Sequence, residues 1–305
     1  MAVFDSIHLF LQELIGAYYM QLIILVGINT IMATSLNLII GYTGQLSIGH
    51  AAFMSLGAYC SALVTLHLGF PFLLSLLCGA LFAAIFGVII GIPTLKLKGD
   101  YLAIATLGFG EIVRIVCLNL EITGGAMGLR GIPKKTNFVW VLLAVLFTVF
   151  ILNRIIKSRI GRALVAIRED ETAADSMGIN STYYKILCFG VGAFFAGLGG
   201  GLLAHYMRFL HPKTFDFMKS IEQLCMVVLG GLGNIWGSFV GATILTVAPE
   251  MLRSVADLRL LIYGLVLILM MRLRPQGILG EQTRLAPFFS QKIRNLLQKR
   301  TRTNT

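Results

Sequence analysis

Apolar positions along this chain form long continuous runs, separated by short polar or glycine-rich breaks. Residues 17–40, 46–68, 70–92, 101–120, 138–152 and 183–207 are six such runs, and 221–247 and 258–271 are two more. Most approach the roughly 20 apolar residues that a helix needs to cross a bilayer. The first run ends at Gly41-Tyr42-Thr43-Gly44, and the third stops at Pro93. The 221–247 run is interrupted by Gly230-Gly231-Leu232-Gly233-Asn234, which predicts either a re-entrant hairpin or two short helices. Such a break is tolerated only where it is buried in protein or lines a cavity. A barrel is excluded, because its strands alternate apolar and polar residues in segments of about ten.

The expected fold is an all-α polytopic integral membrane protein, a bundle of about 7–10 transmembrane helices with re-entrant or broken segments. Composition agrees. Of 305 residues, 57% are apolar and 13% are charged, against roughly 25% charged in soluble domains. The 33 glycines suit helices that approach backbone to backbone. Residues 1–280 read as one transmembrane domain and 281–305 as a basic tail.

Charge placement orients this bundle. Net charge is +11, and from Arg272 onward there are eight basic residues and one acid. The loop at 154–182 carries Arg154, Lys157, Arg159, Arg162 and Arg168. Basic loops stay in the cytoplasm, so this loop and the tail are both expected inside. An even number of crossings must separate them, and the 221–247 run therefore contributes zero or two. Five runs precede the loop, which puts the N-terminus outside. The first 20 residues hold Asp5 and Glu13 but no Lys or Arg, so no cleavable signal peptide is expected. Because the positive charge collects after the last run, the basic balance does not imply a nucleic-acid partner.

No catalytic, cofactor-binding or metal-binding constellation is visible. The chain has no GxxxxGK[ST], no HExxH and no CxxC, and Cys60, Cys78, Cys117, Cys188 and Cys225 read as small packing residues. Three stretches carry more information. In the first, around 37–59, the residues Asn37, Thr43, Gly44, Gln45, Ser47, Gly49, His50, Phe53, Ser55 and Gly57 mix polar and small groups within an apolar run. Unpaired polar groups in hydrocarbon cost several kcal/mol, so these face either other helices or a water-filled path. In the second, Glu111 and Arg114 stand at i, i+3 and can pair on one helix face. The third is the loop Gly161 to Ile179, where Ala163, Leu164, Ile167, Ala174 and Met177 recur near helical spacing and Gly178 follows as a C-cap. It predicts a short amphipathic helix, either a lever for a soluble partner or a helix lying at the membrane interface.

With these residues in view, the sequence resembles the LivM-type permease subunits of branched-chain amino-acid ABC importers. The resemblance rests on the run at 44–53, Gly99-Asp100-Tyr101-Leu102, Gly108 to Arg114, and Gly161-Arg162-Ala163 through Gly178-Ile179. Gly230 to Asn234 and Arg274-Pro275-Gln276-Gly277-Ile278 complete it. It implies a multi-pass protein of the bacterial cytoplasmic membrane that translocates leucine, isoleucine or valine by alternating access. The implied partners are a second permease subunit, two P-loop ATPases that bind the ATP and Mg, an extracytoplasmic binding protein, and the lipid bilayer. Gly161, Arg162, Ala163, Ile167, Arg168, Glu171, Ala173, Ala174 and Gly178 would form the ATPase-coupling loop. Ala173, Ala174 and Gly178 match the Glu-Ala-Ala-x-x-x-Gly pattern of such loops, but Thr172 holds the Glu place and Glu171 precedes it. Gly44, Gln45, Ser47, Gly49, His50, Phe53, Gly57, Gly230, Gly231, Gly233 and Asn234 would serve the path or its packing. The alternatives are an ion-coupled secondary transporter of small zwitterionic or amide solutes, with Glu111 as its candidate ionisable group, and a membrane enzyme.

Overall fold

The computed structural model describes residues 16–94, 97, 99–251, 264 and 277–279. The described chain is helical throughout, apart from its loops and a single antiparallel bridge between Leu129 and Leu210. Helix α1 (Ala17–Asn37) continues into a π-helical turn (Leu38–Tyr42), and is followed by α2 (His50–His67), α3 (Phe72–Thr94), α4 (Asp100–Asn119) and α5 (Phe138–Lys157). Then come α6 (Arg159–Glu169), α7 (Glu171–Ser176), α8 (Ser181–Met207), α9 (Phe217–Gly230) and α10 (Ile235–Met251). Local polar residues set several starts. Ser158, Asp170, Asn180 and Asp216 each accept a backbone N–H of the first turn that follows them.

Among the described residues, α1 with its π turn, α3, α4, α5 and α8 are long and apolar enough to cross a membrane. They divide by burial. In α1 and α8, 78% and 72% of the most apolar stretch is buried, against 33%, 28% and 17% in α3, α4 and α5. Helices α1 and α8 are therefore the interior of the bundle, and the others form its rim. The outward faces of α3 and α5 are uniformly apolar, with Leu73, Leu77, Leu81, Ile85 and Ile89 on one and Leu142, Leu146 and Phe150 on the other. Such surfaces suit lipid.

Four sequence expectations are refined. The second run becomes a helix only at His50, and residues 44–49 before it are irregular, with Gly44 at φ +72°. Helix α3 does not stop at Pro93 but carries it within its last turn. The loop predicted as one amphipathic helix is two, because Asp170 leaves the helical region (φ −157°) and caps a new start. The 221–247 run is a pair of antiparallel helices of 14 and 17 residues joined by a tight turn. At 1.5 Å per residue these rise about 21 and 26 Å, short of a roughly 30 Å core. Residues 1–15, Lys96, Lys98, most of the 258–271 run and the tail lie outside the described residues.

Candidate functional site

Helices α6 and α7 form a compact two-helix module after α5. Gly161 makes the corner: a Cβ there would meet the carbonyl of Ile156. Ala163, Leu164 and Ile167 are buried on the inner face of α6, and Ala174 on that of α7. Arg162, Thr172, Ala173, Asp175, Ser176 and Gly178 face outward. Met177 is 83% exposed at the end of the module. Gly178 adopts φ +84° and the Ile179 N–H returns to the Ala174 carbonyl, so α7 ends in the left-handed cap that glycine makes inexpensive. Two long side chains hold the module down. Glu171 pairs with Lys185 at 2.7 Å, and Lys185 is only 7% exposed at the start of α8. Arg168 reaches α1, where its Nη1 donates to the Gly41 carbonyl at 2.7 Å.

That carbonyl belongs to the π turn that ends α1. The carbonyls of Leu38, Ile39 and Ile40 already accept bonds from Thr43 Oγ1, Gln45 N and Gly44 N. Gly41 is the terminal acceptor that a basic side chain satisfies, as at other helix C-termini. One turn earlier, the side chain of Asn37 engages the α9–α10 turn with all its polar atoms. Its Oδ1 accepts the Gly233 N–H (3.0 Å), and its Nδ2 donates to the Asn234 carbonyl (2.9 Å) and to Ser238 Oγ (2.7 Å). The same turn binds the chain at 277–279. Ile278 and Leu279 N–H donate to the Leu229 and Gly230 carbonyls, and Asn234 Nδ2 donates to the Leu279 carbonyl.

Deeper in the bundle, the starts of α2 and α9 meet α4. The Ile48 N–H donates to Thr106 Oγ1 (3.0 Å) and the Ala51 N–H to Ser220 Oγ (3.2 Å), so neighbouring helices satisfy the first donors of α2. A crevice of about 10 Å³ lies at this junction, lined by residues that include Ile48, Gly110, Glu111, Asp216 and Ser220. Glu111 and Arg114 pair at 2.7 Å on α4 and remain 36% and 25% exposed. A second pair, Lys219–Glu222 at 3.0 Å, sits on α9 with 21% and 15% exposure. Gln45 Oε1, Ser47 Oγ and Gln223 Oε1 are buried without a hydrogen-bond partner among the described residues. Those residues also hold no group of three His, Cys, Asp or Glu side chains placed to share a metal ion.

Comparison with known proteins adds the family. Residues 18–271 match the model of the branched-chain amino acid transport system / permease component family. The chain belongs to that permease family. It is 38% identical over 262 residues to the branched-chain amino acid transport permease LivM of Salmonella typhimurium and to that of Escherichia coli, covering 74% of this chain in each case. The match spans 62% of the length of these two relatives. The permease LivH of Escherichia coli is 33% identical over 126 residues, 41% of each chain. No solved structure gives a significant match.

Within this family member, the residues named for the coupling loop do come together. Gly161, Ala163, Ile167 and Ala174 build the module, Arg162, Ala173 and Gly178 sit on its surface, and Arg168 and Glu171 turn inward to α1 and α8. Gly44 lies against the Arg168 stem, where a Cβ on Gly44 would come within 3.0 Å of Cγ. Most of the other residues expected to serve a path or its packing make packing contacts, whereas Gln45 Oε1 and Ser47 Oγ are buried without a partner among the described residues. Gly49 and Gly57 face backbone of α4 and α8, His50 bonds Ser35 at 2.8 Å, and Phe53 is fully buried. Gly230 faces Gly237 across the hairpin, Gly231 is met by Gly277, and Gly233 and Asn234 are held by Asn37. Sequence reasoning noted Asn37 only as one of several polar groups facing either other helices or a water-filled path, and it passed over the Lys219–Glu222 and Lys185 pairs. The i, i+3 spacing of the α9 pair was a usable signal, whereas the partners of Asn37 lie about 200 residues away.

Proposed function

We propose that this chain is a membrane-spanning subunit of an ABC importer that moves branched-chain amino acids across the bacterial cytoplasmic membrane. The observation that carries this reading is the family match over residues 18–271, together with LivM relatives 38% identical to the chain. With no P-loop in its sequence, the chain depends on two partner ATPases for ATP and Mg. A second permease subunit completes the path, and an extracytoplasmic binding protein delivers substrate. The α6–α7 module is the ATPase-docking surface, its exposed Met177 and Ala173 presented to a soluble partner. This places α6–α7 and the C-terminus in the cytoplasm and the N-terminus outside.

Transport then requires two states of the bundle that the ATPases bind with different affinity, since only differential binding shifts such an equilibrium. The deciding experiment is affinity purification of the tagged chain from gently solubilised membranes, followed by reconstitution into liposomes. A second permease and two P-loop ATPases should co-purify, and uptake of radiolabelled leucine should require ATP inside and binding protein outside. Uptake by the chain alone, driven by a Na⁺ or H⁺ gradient, would replace this reading with the secondary transporter.

A further inference from the structure

The docking module and the α9–α10 hairpin are both fastened to the end of α1. Arg168 of α6 holds the Gly41 carbonyl, and four residues earlier Asn37 holds Gly233, Asn234 and Ser238 of the hairpin. The π turn Leu38–Tyr42 follows Asn37 directly and contains Gly41, and it is a wider turn of a kind that recurs at functional positions in helices. There is no slack in it. A Cβ at Gly41 would meet Asn37 Oδ1 and the Gly233 N–H at once, so α1 and the hairpin turn touch through backbone at this level. Asn37 is 1% exposed, and the hydrogen bonds to Gly233, Asn234 and Ser238 occupy both its carbonyl and its amide.

From this geometry we infer that Asn37 is a positioning residue that carries motion of the α6–α7 module, through the π turn of α1, to the α9–α10 hairpin. The inference rests on the ATPase-docking reading above. A push on α6 reaches Gly41 through Arg168, and the π turn moves with Asn37 as one piece. The hairpin follows because its turn is held at three points. Asparagine suits this position. Its amide donates twice and its carbonyl accepts once, whereas aspartate would lose both donations and alanine all three bonds. Residues 277–279, bonded to the Leu229 and Gly230 carbonyls, travel with the hairpin.

The test uses the whole reconstituted complex in proteoliposomes, with ATP hydrolysis and leucine uptake measured on the same vesicles. Spin labels at Met177, Trp236 and Leu81, which are 83%, 69% and 48% exposed, report the module and the hairpin against the apolar rim. In wild type, nucleotide should change both the Met177–Leu81 and the Trp236–Leu81 distances. In Asn37→Ala, hydrolysis should stay within about twofold while uptake falls about tenfold or more, the scale of buried hydrogen bonds left unmade. The Trp236–Leu81 change should vanish while the Met177–Leu81 change persists.

A purely structural role for Asn37 predicts otherwise, with hydrolysis and uptake falling together and both distance changes shrinking alike. That result, or wild-type coupling in an assembled Asn37→Ala complex, overturns the inference. Should Asn37→Ala fail to assemble, Ser238→Ala decides, because it removes one of the three bonds and leaves Asn37 in place. It should lower uptake per ATP about threefold, and unchanged coupling would refute the relay. If the wild-type chain binds no ATPase, the functional reading fails on its own evidence and the relay falls with it.

Discussion

Two parts of this bundle are joined in opposite ways. The packing of α2, α3 and α8 is made of bare backbone contact: a Cβ on Gly57 would land on the backbone of Gly197, one on Gly200 on the Met54 carbonyl, and one on Gly79 on the Gly57 carbonyl. At the other end, α1, the hairpin turn and the α6–α7 module are joined by side chains reaching carbonyls and hydroxyls, through Arg168, Asn37 and Asn234. Dispersion contact between backbones has one good distance and fades steeply with separation. A hydrogen bond can be exchanged for another at small net cost, provided that no partner is left buried and unpaired. The first kind of joint makes a scaffold. The second makes a joint that can occupy two positions, which is what the proposed ATP-driven transport would need next to the proposed docking surface.

The scaffold side should break most severely. Gly57→Leu forces a branched side chain into the Gly197 backbone, and overpacking of this kind costs about 3 kcal/mol or more where neither neighbour can retreat. The expected outcome is loss of the monodisperse peak on size-exclusion chromatography, or a much lower thermal midpoint in detergent. Gly108→Ala is the matched control, since nothing lies within 4 Å of a Cβ there. It should behave as wild type. Equal damage from both variants would remove the distinction between a tight core and an open α4 face.

The polar side should fail in function before it fails in folding. Arg168→Ala strips the Gly41 carbonyl of its charged donor, a change worth about 1.5–3 kcal/mol in a buried setting and less here, where the arginine is a quarter exposed. Uptake should drop more than thermal stability does, and hydrolysis should persist. Arg168→Lys keeps a single donor and should recover part of the uptake. A stability loss as large as that of Gly57→Leu would make Arg168 a scaffold residue.

Lys185 gives an asymmetric test of the same joint. Its side chain is 7% exposed and that of Glu171 is 28% exposed. Glu171→Gln leaves a buried cation without its counter-charge, whereas Lys185→Met leaves a carboxylate that water can reach. Removing one partner of a buried pair is the costly direction. Glu171→Gln should therefore be the more destabilising of the two by about 1–2 kcal/mol in denaturant titration. The reverse order would mean that Lys185 is hydrated in the assembled protein.

How much of this was legible in the sequence depends on the distance over which each feature is determined. Five of the runs were readable as candidate spans because continuous apolar runs leave the backbone no partner but itself. The second run instead gave the helix α2, which is not among the helices long and apolar enough to cross. The Gly178 cap and the Glu111–Arg114 pair were readable for the same local reason, a left-handed terminus and an i, i+3 spacing. The split at Asp170 was missed, although an aspartate three residues before Ala173 is an ordinary N-cap signal. Asn37 stood out as a polar residue in an apolar run, but only the fold brings it to Gly233, 196 residues on. The glycines of α2 were ambiguous between path and packing. In the structure Gly49 and Gly57 lie against the backbone of α4 and α8, contacts that join residues more than 50 positions apart and that no local pattern could show.

The smallest effect belongs to a region of neither kind. The outer face of α4 carries Gly108 in open space and the Glu111–Arg114 pair at 36% and 25% exposure. In the chain alone such a pair contributes about 0.5 kcal/mol, because solvent screens it. Glu111→Gln should shift the thermal midpoint of the isolated chain hardly at all. It should also be milder than Arg114→Ala, since glutamine still accepts from the Arg114 Nε–H. The informative measurement repeats both variants in the assembled complex. If a second permease covers this face, the pair becomes desolvated and Arg114→Ala should cost several times more there than in the isolated chain. If both variants stay equally mild in the two settings, this face of α4 meets lipid or water, and the proposed second permease would have to cover a different face of the bundle.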